Sequence, residues 1–310
     1  MVFRVKHSIT GLATYVPGIN RLILRGTGGT DTARYCYTVW LRHLVRLRRA
    51  GLAGIPAVVA ELGPGDSIGI GLAALLSGAD RYHALDVVPR AFSSRNLEIF
   101  DELATLFRAR TPIPGNPEFP RVLPPADDEA FPFGGVELER SLAPARVAAL
   151  RDELAQGGGR AIRYVAPWSD AGVVEPNSVD LLYSQAVLEH VNDLAATYDA
   201  MRRWTRPGAW VSHSIDFKCH GMDPRWNAHW ACSDAEWRLI RGNRPYLLNR
   251  EPCATHLAML AAHGFTVHDV IREKMPSAIE RRQLSRRFAA ISDEDLATSG
   301  VFVAAQRTGD

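Results

Sequence analysis

The run AVVAELGPGDS at residues 57–67, followed by Leu85, Asp86 and Val87, constrains this chain more than any other feature. It reads as a buried strand, a glycine turn, a helix, and a second strand that ends in an acid. Glycines let a backbone pass close to a ligand, and a carboxylate after the second strand can accept hydrogen bonds from ribose hydroxyls. A nucleotide-like cofactor fits that order of elements.

The turn is not built for a pyrophosphate. A dinucleotide-binding turn reads G-x-G-x-x-G. Here Gly63 and Gly65 are followed by Asp66, Ser67 and Ile68, so the third glycine is missing. The phosphate-cradling G-x-x-x-x-G-K-[ST] pattern is absent too. Glu61, just before the turn, would repel phosphate and attract an ammonium group. The ligand implied has a ribose and an amine but no phosphate chain, a description that S-adenosylmethionine meets.

The 310 residues, 46% of them hydrophobic, suffice for one large core or a core with appendages. A formal net charge of +2 implies no nucleic-acid partner. Arginines cluster at Arg42, Arg46, Arg48 and Arg49, and again at Arg281, Arg282, Arg286 and Arg287. They read as solvated helix faces, or as contacts to an anionic substrate or membrane surface. The four cysteines form no C-x-x-C and no close framework, as expected of a reducing compartment. No apolar run approaches the ~20 residues that span a bilayer, and no secretory signal is visible. The expected location is cytoplasmic, with no stable membrane insertion.

Residues 1–56 precede the first core strand and read as a helical extension. Thr30 or Asp31, after the glycines of residues 26–29, is placed to cap a helix running to Ala50, with Trp40, Leu44 and Leu47 on one face. The glycine run reads as a flexible turn or an anion site at the helix start. Strands and helices then alternate over residues 57–310: strands at 58–61, 81–86, 161–165, 179–184, 209–214, 265–271 and 301–305. Helices are expected from Ser67, over 93–109, and over 277–290. Another, with Leu142, Val147, Leu150 and Leu154, ends at the glycines of 157–159. Pro112, Pro114, Pro117, Pro120, Pro124 and Pro125 exclude helix and central strand from 111–125, which reads as a lid or a plain loop. The alternation predicts an α/β fold, a mostly parallel sheet with helices on both faces, carrying insertions at about 110–160 and 217–260.

Glu61-Leu-Gly63-Pro-Gly65, then Asp86, the run VDLLYSQAVLEHV at 179–191, and WTRPG at 204–208 together resemble class I S-adenosylmethionine-dependent methyltransferases, in particular the type-11-like branch. The resemblance covers residues 57–215 and, more loosely, the last strands. It implies a Rossmann-like seven-stranded sheet whose final strand runs antiparallel between the fifth and sixth. It also implies S-adenosyl-L-methionine as cofactor. Glu61, Gly63, Pro64 and Gly65 would wrap the methionine end, with Ser67 replacing the third glycine. Asp86, with Val87 beside it, would meet the ribose, and Ser184 and Gln185 would line the methyl-transfer gap. The acid often found after the third strand is missing, so Trp168 or Asp170 takes over the adenine contact, or Trp168 is a core residue.

The fifth strand ends near His213 and Asp216, and His220, Asp223 and His229 follow. Methyl transfer to a hydroxyl needs alignment and a base. His213 is the first candidate base, then His220, with Asp216 orienting a histidine or binding a hydroxyl. The same cluster could hold a divalent ion, but its spacing matches no tight motif, and no metal is expected. His190 reads as a residue that fixes its turn. Trp226, Trp230, Trp237 and Tyr246, interleaved with Arg238, Arg241, Arg244 and Arg250, suit a carbohydrate or anionic acceptor, or the core of a small helical cap. The reading is a methyltransferase acting on an oxygen of a small molecule or glycan, with a homodimer left open. A non-catalytic S-adenosylmethionine-binding scaffold and a nicotinamide-dependent oxidoreductase are the alternatives.

Overall fold

The computed structural model describes residues 2–16, 30–168, 170–244 and 247–309. The glycine run before Thr30, together with Tyr246, lies outside the described residues.

Seven strands form one sheet: β1 (Val58–Leu62), β2 (Arg81–Leu85), β3 (Ile162–Val165), β4 (Val179–Gln185), β5 (Thr205–Asp216), β6 (Phe265–Lys274) and β7 (Thr298–Arg307), in the order β3-β2-β1-β4-β5-β7-β6. The first five pair in parallel. The last strand, β7, runs antiparallel to both β5 and β6, as the resemblance implies. The strand order reverses between β1 and β4. Ligands of open parallel sheets bind outside the carboxyl ends at such a switch point, so the topology alone directs attention to the tips of these two strands.

Both faces of the sheet are covered. On one face, α2 (Ala33–Ala50), α3 (Gly69–Leu76) and α4 (Arg95–Arg108) pack with Val59, Leu181, Tyr183 and Phe302 in one hydrophobic cluster. On the other face, the helices Leu194–Trp204 and Cys253–Ala262 pack with Ala60, Leu182, Val211 and Val303. Strands enclosed this way need apolar residues at nearly every position, and β4 reads so in sequence. The close fit of α3 depends on its glycines: a Cβ on Gly71 would lie 2.0 Å from the Tyr82 ring, and one on Gly69 would lie 2.5 Å from Cys36 Sγ.

Several elements differ from the sequence reading. The cap of α2 is Thr32, whose side chain accepts from Tyr35 N. Thr30 instead reaches the glycine turn, where its hydroxyl accepts from Asp66 N at 2.8 Å and Ser67 N at 3.2 Å. The helix expected around Leu142 is two helices, Gly135–Ser141 and Pro144–Ala155; Pro144 opens the second and Leu142 lies in the break. No long helix spans 277–290. The chain there makes two single 3₁₀ turns, Arg281–Gln283 and Arg286–Phe288, because it wraps the cap instead: Ser285 N donates to Trp230 O at 3.0 Å, and Ile279, Phe288 and Ile291 are buried. Strand β5 begins earlier than expected. Its pairing to β4 shifts register between Val179 and Leu181, and Pro207 and Gly208 are taken up in that irregularity.

The first described helix, α1 (Val2–Ala13), lies on the cap helix Asp234–Arg241; a Cβ on Gly11 would lie 2.0 Å from Leu239 O. The proline-rich segment is anchored to α2. The buried Arg42 guanidinium donates to Val122 O at 2.8 Å and to Pro114 O at 2.7 Å.

Candidate active site

The glycine turn bends as its residues require. Gly63 and Gly65 have φ of +64° and +82°, a region that side chains disfavour. A Cβ on Gly63 would lie 2.7 Å from Val187, so the turn passes close under the residues leaving β4. Gly63 N donates to Leu85 O at 2.8 Å, which joins the tips of β1 and β2. Pro64 is buried behind this turn. Ser67 is fully buried and its hydroxyl donates to Thr30 O, so it anchors the helix start and the preceding chain, away from the cleft.

Asp86 stands at the tip of β2. Its Oδ1 accepts from Val87 N at 2.6 Å and from Val88 N at 3.2 Å, which leaves Oδ2 for a ligand. Burial pushes its pKa up, against those backbone bonds. Val87 is 46% exposed, an apolar side chain at the rim beside the acid. Trp168 N donates to Asp86 O at 2.8 Å, bringing the tip of β3 alongside. The Trp168 ring is half-buried and packs edge-on against Trp204 at 5.3 Å. Asp170 caps the following turn through Gly172 N.

Three expected site residues sit deeper than the sequence suggested. The Glu61 carboxyl is buried, accepts from the Tyr82 hydroxyl, and lies beside Tyr183 of β4. Burial raises its pKa to about 7 despite the Tyr82 bond. It sits directly before the turn at the end of β1, bound to Tyr82 and not open to solvent. Ser184 and His213 pair across β4 and β5, Ser184 Oγ to His213 Nδ1 at 2.8 Å, both fully buried. Burial, followed by the nearby His43 and His256, pushes the His213 pKa down to about 3. A neutral imidazole sealed against the sheet has no access to an acceptor.

Gln185 leaves β4 on the opposite face. Its Oε1 lies 3.0 Å from Nε2 of His43, whose Nδ1 lies 2.7 Å from Ser212 Oγ. Burial lowers the His43 pKa to about 4, so the ring is neutral and acts as a hydrogen-bond link that fixes Gln185. Sequence reasoning missed His43. The only available signal was a polar residue in the apolar middle of α2.

At the end of β5 the titratable cluster is only partly assembled. His220 Nε2 lies 3.5 Å from Asp216 Oδ2. Burial would raise the Asp216 pKa, but contact with His220 and the Lys218 ammonium outweigh it and bring it to about 2. Lys218 is itself tied to Glu273 at 2.7 Å. His190 joins this group, its ring centroid 5.0 Å from that of His220. Asp223 is bound by Arg225 at 2.9 Å, and His229 is buried in the cap against Trp230. Beside the turn that bears His190, a cavity of about 690 Å³ is lined by Asn192, Trp237, Arg238, Arg241, Arg250 and Arg287, among others.

The model of a methyltransferase domain, Methyltransf_11, matches residues 141–212, from before β3 to the middle of β5. Residues 141–212 thus match a methyltransferase domain, on a sheet with the strand order that the resemblance to class I S-adenosylmethionine-dependent methyltransferases implies. The methyltransferase's cofactor is S-adenosylmethionine, and the residues at the tips of β1 and β2 fit it: a turn held at positive φ, no basic phosphate cradle, and an acid with a carboxylate oxygen to spare. Three solved structures are similar. An S-adenosylmethionine-dependent methyltransferase from Mesorhizobium loti has 16% identity and a TM-score of 0.43, over 86% of this chain and 98% of that one. Phosphoethanolamine N-methyltransferase 2 from Haemonchus contortus, in complex with S-adenosyl-L-methionine, has 17% identity and a TM-score of 0.42, over 87% of this chain and 53% of that one. A methyltransferase from Methanosarcina mazei has 12% identity and a TM-score of 0.42, over 85% and 98%. No curated protein sequence matches the chain. Among the described residues no helix is long and apolar enough to cross a membrane.

Proposed function

We propose that this methyltransferase acts on an oxygen of a small molecule or glycan, with the cofactor across the tips of β1, β2 and β4 and the acceptor at the tips of β4 and β5. When bound, S-adenosylmethionine supplies an activated methyl group on its sulfonium. The chain's own residues do the rest. The Gly63–Gly65 turn admits the ligand closely, Asp86 Oδ2 accepts from the ribose, and Val87 and Trp168 offer apolar surface for the adenine. Gln185, fixed by His43, faces the gap between cofactor and acceptor.

The observation that carries the acceptor assignment is the Asp216–His220 pair. An ionised carboxylate 3.5 Å from an exposed imidazole orients it and supports it as a proton acceptor. An amine acceptor carries its own lone pair and has less need of such a pair. His213, sealed and neutral, we assign to positioning Ser184. The neighbouring cavity, with the Arg238 and Arg241 guanidinium groups in its lining, suits an anionic group on the acceptor. Two residues ahead of β1 we assign to holding the site: Thr30 pins the glycine turn and His43 pins Gln185.

The test uses methyl-labelled S-adenosylmethionine with hydroxyl-bearing and amine-bearing acceptor panels. Label should appear in an ether or ester product, and His220→Ala should lower kcat by about 100-fold to 10,000-fold. Label confined to nitrogen, or a His220→Ala enzyme with undiminished kcat, contradicts the reading.

A further inference from the structure

We infer that Glu189, His190 and His220 form a binding site for one divalent transition-metal ion at the tips of β4 and β5. A carboxylate oxygen of Glu189 and one ring nitrogen from each histidine all lie within 4.8 Å of one another. Two imidazoles and one carboxylate are a donor set for ions such as Mn²⁺, Fe²⁺, Co²⁺ or Zn²⁺, and three protein ligands leave coordination positions open.

A second observation points the same way. Glu189 is 2% exposed; its Oε1 accepts from Asp216 N at 3.3 Å, while Oε2 is buried with no hydrogen-bond partner among the described residues. A buried carboxylate oxygen without a donor is costly unless a cation or a proton meets it. His190 is half-buried and His220 exposed, so an ion has a path from solvent. A ligating histidine commonly presents its other nitrogen to a carboxylate, and Asp216 Oδ2 stands 3.5 Å from His220 Nε2. The nearby Lys218 ammonium is engaged by Glu273 and Asp216, at 2.7 and 3.3 Å. The spacing hides the site in sequence: Glu189 and His190 are adjacent in one 3₁₀ turn, whereas His220 arrives from beyond β5.

The inference refines the acceptor half of the proposed function. It replaces one role there: with an ion bound, His220 would be a ligand and not the base, and the ion would supply the positive charge that eases loss of the acceptor hydroxyl's proton to water. It is tested by binding without turnover, so a failed metal site and a failed methyl transfer are told apart. Chelator-treated full-length protein is titrated with Co²⁺ and followed by calorimetry and visible absorption. One ion should bind per chain. Glu189→Gln and His190→Ala should each weaken binding at least about tenfold, and Asp216→Asn about 10-fold to 100-fold, while S-adenosylhomocysteine binding persists. Absence of stoichiometric binding to the wild type, or binding unchanged in Glu189→Gln and His190→Ala, overturns the site. Should a variant also lose S-adenosylhomocysteine, the wild type decides alone. Bound Cu²⁺ with nitrogen couplings from two imidazoles supports the site, and their absence overturns it.

Discussion

Glu61 shows how burial redirects a residue. A carboxyl next to a glycine turn reads in sequence as a ligand contact. In the fold it sits beneath the turn, bound by Tyr82, with its pKa raised from 4.5 to about 7. The folded protein therefore keeps a proton that the unfolded chain releases between these values. The group's contribution to stability falls as pH rises through that window, by about 1.4 kcal/mol per pH unit. Thermal melts of wild type and Glu61→Gln should coincide near pH 4.5 and diverge towards pH 8, with the variant melting higher. A variant that melts lower at pH 8 would show the ionised carboxyl to be needed. The same turn makes Gly63 sensitive. Gly63→Ala places a methyl 2.7 Å from Val187 at a positive φ, and denaturant unfolding should register a loss of about 1–3 kcal/mol.

Among the elements, α2 departs most from its reading as an appendage. Its apolar stripe was legible, and so was its end at Gly51. Its fully buried Arg42 and His43 were not, because their partners are carbonyls and side chains from distant segments. Arg42→Met removes the donors that hold Pro114 O and Val122 O, so residues 111–125 should exchange amide hydrogens faster while the strands stay protected. Unchanged exchange in that segment would contradict the anchoring. The strands themselves were readable to within a few residues, since doubly covered strands need near-continuous apolar runs. The segment 277–290 misled for the opposite reason: its spacing is set by docking against Trp230, and not by a helix of its own. In the site, the bend at Gly63 and Gly65 and the place of Asp86 at the tip of β2 were legible, because both depend on backbone geometry next to them in sequence. The inward turn of Glu61, Ser184 and His213 depends on which face of a sheet each residue takes, which is settled only by the neighbouring strands.

For the whole molecule, burial of neutral histidines predicts an acid limit. His43, His213 and His256 are fully buried, with burial lowering their pKa values from 6.5 to about 4, 3 and 4. Below pH 6.5 the unfolded chain binds protons that the folded one refuses, so the stability from these groups is lost as pH falls towards 4. Each adds about 1.4 kcal/mol per pH unit to the slope. Urea unfolding at pH 6.5, 5.5 and 4.5 should show that steepening, opposite in sign to the Glu61 contribution. A flat profile in His256→Gln and wild type alike would contradict it.

The seven-stranded sheet, its switch point and the glycine turn support the proposed placement of an adenosyl ligand against Asp86. Calorimetric titration of the full-length chain with S-adenosylhomocysteine, beside Asp86→Ala and with a nicotinamide dinucleotide as control, tests this most directly. The account predicts one site in the wild type, at least about tenfold weaker binding in the variant through loss of the charged hydrogen bonds to ribose, and no dinucleotide binding. Absence of adenosyl binding to the wild type, or equal affinity in Asp86→Ala, would contradict it.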